Sequence, residues 1–300
     1  MLDRHWHFGI YAPAGFATDP AAIDRAVARL TGLGHRVCVD PTARGRDQRF
    51  SAHDDERLAA LLRMANAPDV DVAVAVRGGY GWSRLVDRVD YAALARSRKR
   101  WMGHSDFTAF ALAAYAKAGI VTYAGPMAAY DFGAQIASPF TLAQCFGVLE
   151  HERWEVECPL DGPAGDYAGT LWGGNLSMVA HLAGTQFLPD IAGGVLFLED
   201  VAEHPYRVER LLYQLFHAGI LARQRAILLG RFTEFTLHDN DGGYDLATAI
   251  AHVRARLAVP VFTGLPFGHV PDKLTLPVGG HCSVTVRDGV ARLTLSGYAQ

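Results

Sequence analysis

The chain has 300 residues, half of them hydrophobic, with 28 Lys and Arg against 31 Asp and Glu and a formal net charge of −3. That length allows one large or two ordinary domains, each with a sizeable core, and a slightly acidic balance without a long basic run excludes nucleic acid as a partner. Four scattered cysteines, Cys38, Cys145, Cys158 and Cys282, form no C-x-x-C pair and signal neither a disulfide framework nor a thiolate zinc site.

The N-terminus, MLDRHWHFGIYAPAG, has an apolar stretch of only about five residues, too short for a signal h-region or a membrane span, so the protein reads as cytoplasmic with no membrane contact. Phe8 to Ala12 reads as a buried strand closed by Pro13-Ala14-Gly15, and Pro20 to Leu33 as a helix with Ile23, Val27 and Leu30 on one face. Arg36 to Val39 is a short strand, Arg57 to Ala65 a helix, and Val70 to Val76 a run apolar but for Asp71, of the kind found in parallel strands covered on both faces. RGGYG, residues 77 to 81, follows it. Next comes WMGHSDFTAFALAAYAKA, residues 101 to 118, where a short strand stops at Gly103 and a helical pattern starts just after Ser105. Val121 to Ala124 is a further strand and Thr141 to Leu149 a helix.

Alternating strands and helices imply a parallel sheet with right-handed crossovers and a ligand cleft outside the carboxyl ends of its strands. Glu150 to Asp166 is polar and aperiodic, so the chain divides into an N-terminal α/β domain (1–150), a linker (151–166) and a smaller C-terminal α/β or α+β domain (167–300). In that second half a helix runs through Ala183, Gly194 to Leu198 is a strand ending at Glu199-Asp200, and Tyr206 to Ala218 is an amphipathic helix. Ala226 to Leu229 is a strand, Leu246 to Leu257 a helix, and Cys282 to Leu295 a hairpin around Asp288-Gly289.

Ser105 on a strand-to-helix turn fits a nucleophile elbow, with neighbouring N–H groups aimed at the attacked carbonyl; its plain alternative is a helix cap, with Asp106 and Thr108 as further capping side chains. The RGGYG glycines match neither a dinucleotide fingerprint nor a phosphate loop. They serve either a tight turn or a close backbone approach to a substrate carbonyl. A serine nucleophile needs a base and a group that orients the base. Glu199 at a strand end and His269 in the Gly- and Pro-rich loop GLPFGH are the candidates, with His104, Asp200, Glu203 and His204 as rivals. No histidine pattern with a supporting carboxylate points to a metal, although the chain has 13 histidines.

RGGYG, GHSDFTA, GTLWGGNLSM, LEDVAEHPYRVERLLYQL and GLPFGH, in this order and spacing over nearly the whole chain, resemble the bacterial L,D-carboxypeptidases. The resemblance implies a Ser105–His269–Glu199 triad, an oxyanion hole from the backbone of Gly79 and Asp106, no cofactor, and an active site between two domains. It also implies a cytoplasmic homodimer that takes a terminal D-alanine from murein tetrapeptide or its muramoyl derivatives during cell-wall recycling. Val270 stands after His269 where a small or polar residue is expected, and Arg77 and Arg207 are the cations considered for the substrate's terminal carboxylate. Two other functions fit the same residues: a related hydrolase of peptide-nucleotide, acyl-adenylate-like antibiotics, and a two-lobed ligand-binding protein without chemistry.

Overall fold

The computed structural model describes residues 4–299, so the first three residues of the N-terminal stretch lie outside it. The first half alternates β1 (His7–Tyr11), α1 (Ala21–Gly32), β2 (Arg36–Val39), α2 (Asp54–Asn66), β3 (Val72–Ala75), α3 (Tyr91–Ser97), β4 (Arg100–Gly103), α4 (Phe107–Ala118), β5 (Thr122–Ala124) and α5 (Pro139–Glu150). The second half runs β6 (Trp154–Pro159), β7 (Gly165–Asn175), α6 (Leu176–Leu182), β8 (Val195–Val201), α7 (Pro205–His217) and β9 (Ala226–Thr233). It ends with α8 (Leu246–Arg256), β10 (Val261–Thr263), β11 (Leu276–Val278), β12 (His281–Arg287) and β13 (Val290–Ser296).

These strands build two sheets in a mixed α/β fold. The first has the order β11-β5-β4-β3-β1-β2 and is parallel except for β11, which runs antiparallel to β5. Its strand order reverses direction between β1 and β3, and in open α/β sheets the crevice outside such a point receives the ligand. The second has the order β10-β9-β8-β7-β12-β13-β6, parallel on the β10 to β7 side and antiparallel from β7 onward.

Two features depart from the sequence expectations. The segment 151–166, read as a linker, contains β6, which pairs with β13 along its length. β11 leaves the second half of the chain and completes the edge of the first sheet through Leu276 opposite Ala124. Pro277 has no N–H to give, and an edge strand is where a sheet tolerates that.

Helix α4 ties the halves together. Every residue from Phe107 to Ala114 is buried. A helix apolar all round must be covered all round, and α4 packs against β5 of the first sheet and against β7 and α6 of the second. At its N-terminal end Trp82 stacks on Phe110 with ring centroids 4.5 Å apart, and Phe107 packs on Phe110 at 5.2 Å. The turn that carries Ser105 therefore rests on a fully packed base.

Candidate active site

Ser105 lies between β4 and α4 with φ +64°, in the left-handed region that non-glycine residues rarely occupy. Such strain persists only where the surroundings hold it. Here the turn is held by the Thr108 N–H, which donates to the Ser105 carbonyl at 2.9 Å, and by the packed helix behind it. The helix-cap alternative is not what forms. Asp106 occupies the N-cap position of α4 without a side-chain cap. Its carboxylate instead accepts from the Trp82 N–H at 2.9 Å, and Thr108 Oγ1 accepts from the Asn175 N–H at 3.0 Å. Both side chains stitch α4 to neighbouring segments because the first turn of the helix is buried, and burial lifts the Asp106 carboxyl to about 6.

Gly78 comes up against the serine from the loop after β3. A β-carbon there would lie 2.6 Å from Ser105 Cβ and 2.7 Å from Oγ, so no larger residue fits beside the hydroxyl. Among the described residues, no protein group accepts from the backbone N–H of Gly79 or of Asp106.

His269 and Glu199 come from the second half. His269 Nδ1 donates to Glu199 Oε2 at 2.8 Å, and Glu199 is fully buried. Burial pulls the imidazole pKa down, but the hydrogen bond and charge of Glu199 outweigh it and leave the group raised. With Nδ1 held by Glu199, the opposite ring nitrogen is left to the cavity that His269 and Ser105 both line. Gly268 makes the approach possible. It has φ +141°, and a β-carbon there would lie 2.9 Å from the Arg231 carbonyl and 3.3 Å from Glu199 Oε2.

Glu199 sits at an irregularity in β8, where the pairing with β9 shifts register between Leu198 and Asp200. In a regular strand consecutive side chains face opposite ways. The bulge re-aims them, so that Asn175 Nδ2 reaches both Glu199 Oε1 at 3.4 Å and Asp200 Oδ1 at 2.7 Å. Asp200 is occupied further by the Ser177 N–H at 2.9 Å and Oγ at 2.7 Å, which makes it a support for the α6 N-terminus. The other rivals go elsewhere: Glu203 pairs with Arg207, and His204 Nε2 pairs with Asp241 at 3.1 Å. His104 is buried beside His269, ring centroids 5.3 Å apart, and its Nδ1 donates to the Gly125 carbonyl at 2.9 Å. Burial first, then the nearby Lys273 and His269, hold it well below the usual histidine range, so it is neutral at neutral pH.

The cavity measures about 520 Å³ and is bounded on one side by Ser105, Gly78, Gly79 and Arg77, and on the other by His269, Val270 and Lys273. Residues 8–125 match the LD-carboxypeptidase N-terminal domain and residues 168–284 match the LD-carboxypeptidase C-terminal domain. The chain belongs to the LD-carboxypeptidase family.

This LD-carboxypeptidase is similar to the crystal structure of muramoyltetrapeptide carboxypeptidase from Oxalobacter formigenes, with 44% identity, a TM-score of 0.93, and coverage of 98% of this chain and 100% of that one. A probable murein peptide carboxypeptidase from Bacillus subtilis (strain 168) is 30% identical over 287 residues, which cover 94% of this chain and 90% of the relative. The microcin C7 self immunity protein MccF shares the fold, with a TM-score of 0.90 at 23% identity over 99% of this chain and 98% of that one. Among the described residues of the carboxypeptidase no helix is long and apolar enough to cross a membrane.

Three residues of the site carry no signal in the sequence reading. Asn175 ends β7 and its Nδ2 reaches Glu199. Asp131 and Lys273 form a buried ion pair at the cavity wall, from segments 142 residues apart. Of the two arginines considered for a substrate carboxylate, Arg207 does not line the cavity and is taken by Glu203, whereas Arg77 does line it.

Proposed function

We propose that this carboxypeptidase is a serine-type L,D-carboxypeptidase that releases the terminal D-alanine of a murein tetrapeptide, with Ser105 as nucleophile, His269 as base and Glu199 as its orienting group. Ser105 Oγ attacks the scissile carbonyl while the free nitrogen of His269 takes its proton. The tetrahedral oxyanion forms where the N–H groups of Gly79 and Asp106 are unspent, which is the condition for an oxyanion hole. His269 then gives the proton to the leaving D-alanine nitrogen, and a water activated by the same imidazole hydrolyses the acyl-enzyme. Glu199 fixes the tautomer and steadies the imidazolium without itself taking the proton. No step calls for a cofactor.

The observation that carries the reading is the buried Glu199 bonded at 2.8 Å to a histidine that shares one cavity with a serine in a strained turn. The substrate comes from the muramoyltetrapeptide carboxypeptidase likeness. The two family segments, 8–125 and 168–284, support a two-lobed division with the site between the lobes. A cytoplasmic homodimer belongs to the same proposal, and sedimentation equilibrium checks its second half: a monomer at assay concentration contradicts it.

The test is D-alanine release from purified murein tetrapeptide. Wild-type protein is expected to release it, Ser105→Ala to fold normally and lose about three or more orders of magnitude in turnover. A peptide ending in L-alanine is expected to be a poor substrate, because the inverted centre sends the carboxylate to the wrong wall and leaves buried donors unpaired, and one ending in D-alanyl-D-alanine likewise, because its scissile bond joins two D-centres. Preferential cleavage of an acyl-adenylate-like compound would move the chain to the antibiotic-hydrolase reading. No turnover of either would leave a binding protein.

A further inference from the structure

We propose that Arg77 receives the C-terminal carboxylate of the substrate and is the residue that makes this serine hydrolase an exopeptidase. The inference rests on the carboxypeptidase reading above. An exopeptidase has to hold a carboxylate one residue beyond the scissile carbonyl, so the cation that does so must lie close to the nucleophile. Arg77 immediately precedes Gly78, the residue packed on Ser105.

The guanidinium is unusual in having almost nothing to bind. Its Nε is buried with no hydrogen-bond partner, Nη1 makes one long bond of 3.3 Å to the Phe16 carbonyl, and its carbon lies 5.5 Å from the centre of the Tyr130 ring. Among the described residues no carboxylate pairs with it. A half-buried cation with idle donors in a fixed fork is a ready receptor for a planar carboxylate. The other cavity cations are spent or exposed. Lys273 is matched by Asp131, both nearly fully buried, and Arg49 lies on the exposed rim over Tyr80.

Position adds an independent argument. Arg77 follows β3, and the loop after β1 meets it, with the Gly15 N–H donating to the Gly78 carbonyl at 3.0 Å. These loops flank the point where the strand order reverses, the crevice in which open α/β sheets bind ligands. Glycines leave the fork room: β-carbons at Gly15 and Gly79 would lie 3.4 Å from Nε and 3.6 Å from Nη2.

The experiment compares kcat/KM for the tetrapeptide ending in D-alanine with that for the same peptide ending in D-alaninamide, in wild type, Arg77→Met and Arg77→Lys. Wild type should prefer the acid strongly. Arg77→Met should lose about two orders of magnitude or more on the acid and change little on the amide, so that the preference collapses, with Arg77→Lys between. Equal losses on acid and amide, or a preserved preference, overturn the assignment, and if the methionine variant does not fold the lysine variant is read by the same ratio. A tetrapeptide with L-lysine as the diamino residue separates the terminal carboxylate from the diamino acid's: a dependence on Arg77 that vanishes with lysine moves the residue to the diamino acid's carboxylate and overturns the proposal. Should wild type release no D-alanine, the carboxypeptidase reading fails by itself, and calorimetric titration with N-acetyl-D-alanine still tests Arg77. Binding lost on amidation and in Arg77→Met supports it; absent binding, or binding that survives the substitution, overturns it.

Discussion

In the proposed triad His269 sets the acid limb of activity, because only its neutral form can take the Ser105 proton. The Glu199 hydrogen bond and charge overcome burial and raise the pKa, so activity is lost as pH falls through a midpoint above the ordinary histidine value of about 6.5. His104, held neutral, contributes nothing to that limb. Glu199→Gln removes the two largest effects that raise His269 and leaves the smaller pull of Asp200 against burial and Lys273, which lower it. The acid limb of kcat/KM is therefore expected to shift to lower pH while the plateau falls by fewer orders of magnitude than in Ser105→Ala. The sign for stability is the opposite one. A raised histidine adds stability that is complete below the unfolded-state pKa and disappears as pH rises through the folded-state value, so the stability gap between wild type and Glu199→Gln should close toward alkaline pH. An acid limb that stays in place in Glu199→Gln would mean that another group titrates.

The strand-to-helix element at Ser105 works because a glycine from the next loop lies against the hydroxyl. Gly78→Ala places a methyl within 2.7 Å of Oγ, and a displacement of about 1 Å at a reacting atom costs on the order of a hundredfold. Turnover is thus expected to fall by about that factor with a change in melting temperature of only a few degrees, measured by D-alanine release and calorimetry on the same preparation; a large loss of stability with unchanged turnover of the folded fraction would contradict it. This element was legible in the sequence, since Gly103 ends a strand and Phe107, Phe110, Ala111 and Ala114 start a helical period two residues past the serine. Other elements were less so. β6 announces itself only weakly, as Trp154, Val156 and Cys158 alternating with Glu155 and Glu157 inside a polar stretch, and β11 is three residues with a central proline. The bulge in β8 has no signature at all, yet it turns Glu199 toward His269. That pair is joined across 70 residues by tertiary packing; a strand end and a Gly- and Pro-rich loop mark the two residues as candidates among rivals, and the family resemblance, not any periodicity, singles them out.

At the scale of the whole molecule, the proposed mechanism requires that a serine on one sheet and a histidine on a loop from the other half keep a fixed separation, and the Lys273–Asp131 pair is built across that divide. Asp131 belongs to the turn 128–132 after β5, where its Oδ2 accepts the Met127 N–H at 2.7 Å; Lys273 follows His269 by four residues, and its N–H donates to Thr141 Oγ1 at 2.9 Å. Both side chains are nearly inaccessible, at 3% and 5% exposed. A buried pair of this kind contributes little against two apolar residues, but removing one partner strands the other charge, at about 3–5 kcal/mol. Lys273→Met is therefore expected to lower stability to urea by roughly that amount and to lower kcat, since the loop bearing His269 loses its anchor to the Ser105 side. Adding Asp131→Asn to Lys273→Met removes the stranded charge and keeps an acceptor for the Met127 N–H, so the double variant should be more stable than Lys273→Met alone. In a double-mutant cycle the coupling should then be large and favourable. Strictly additive losses would show that the two side chains are independent fillers of the wall, and that the halves of the molecule are held in register by other contacts, those of α4 and β11 among them.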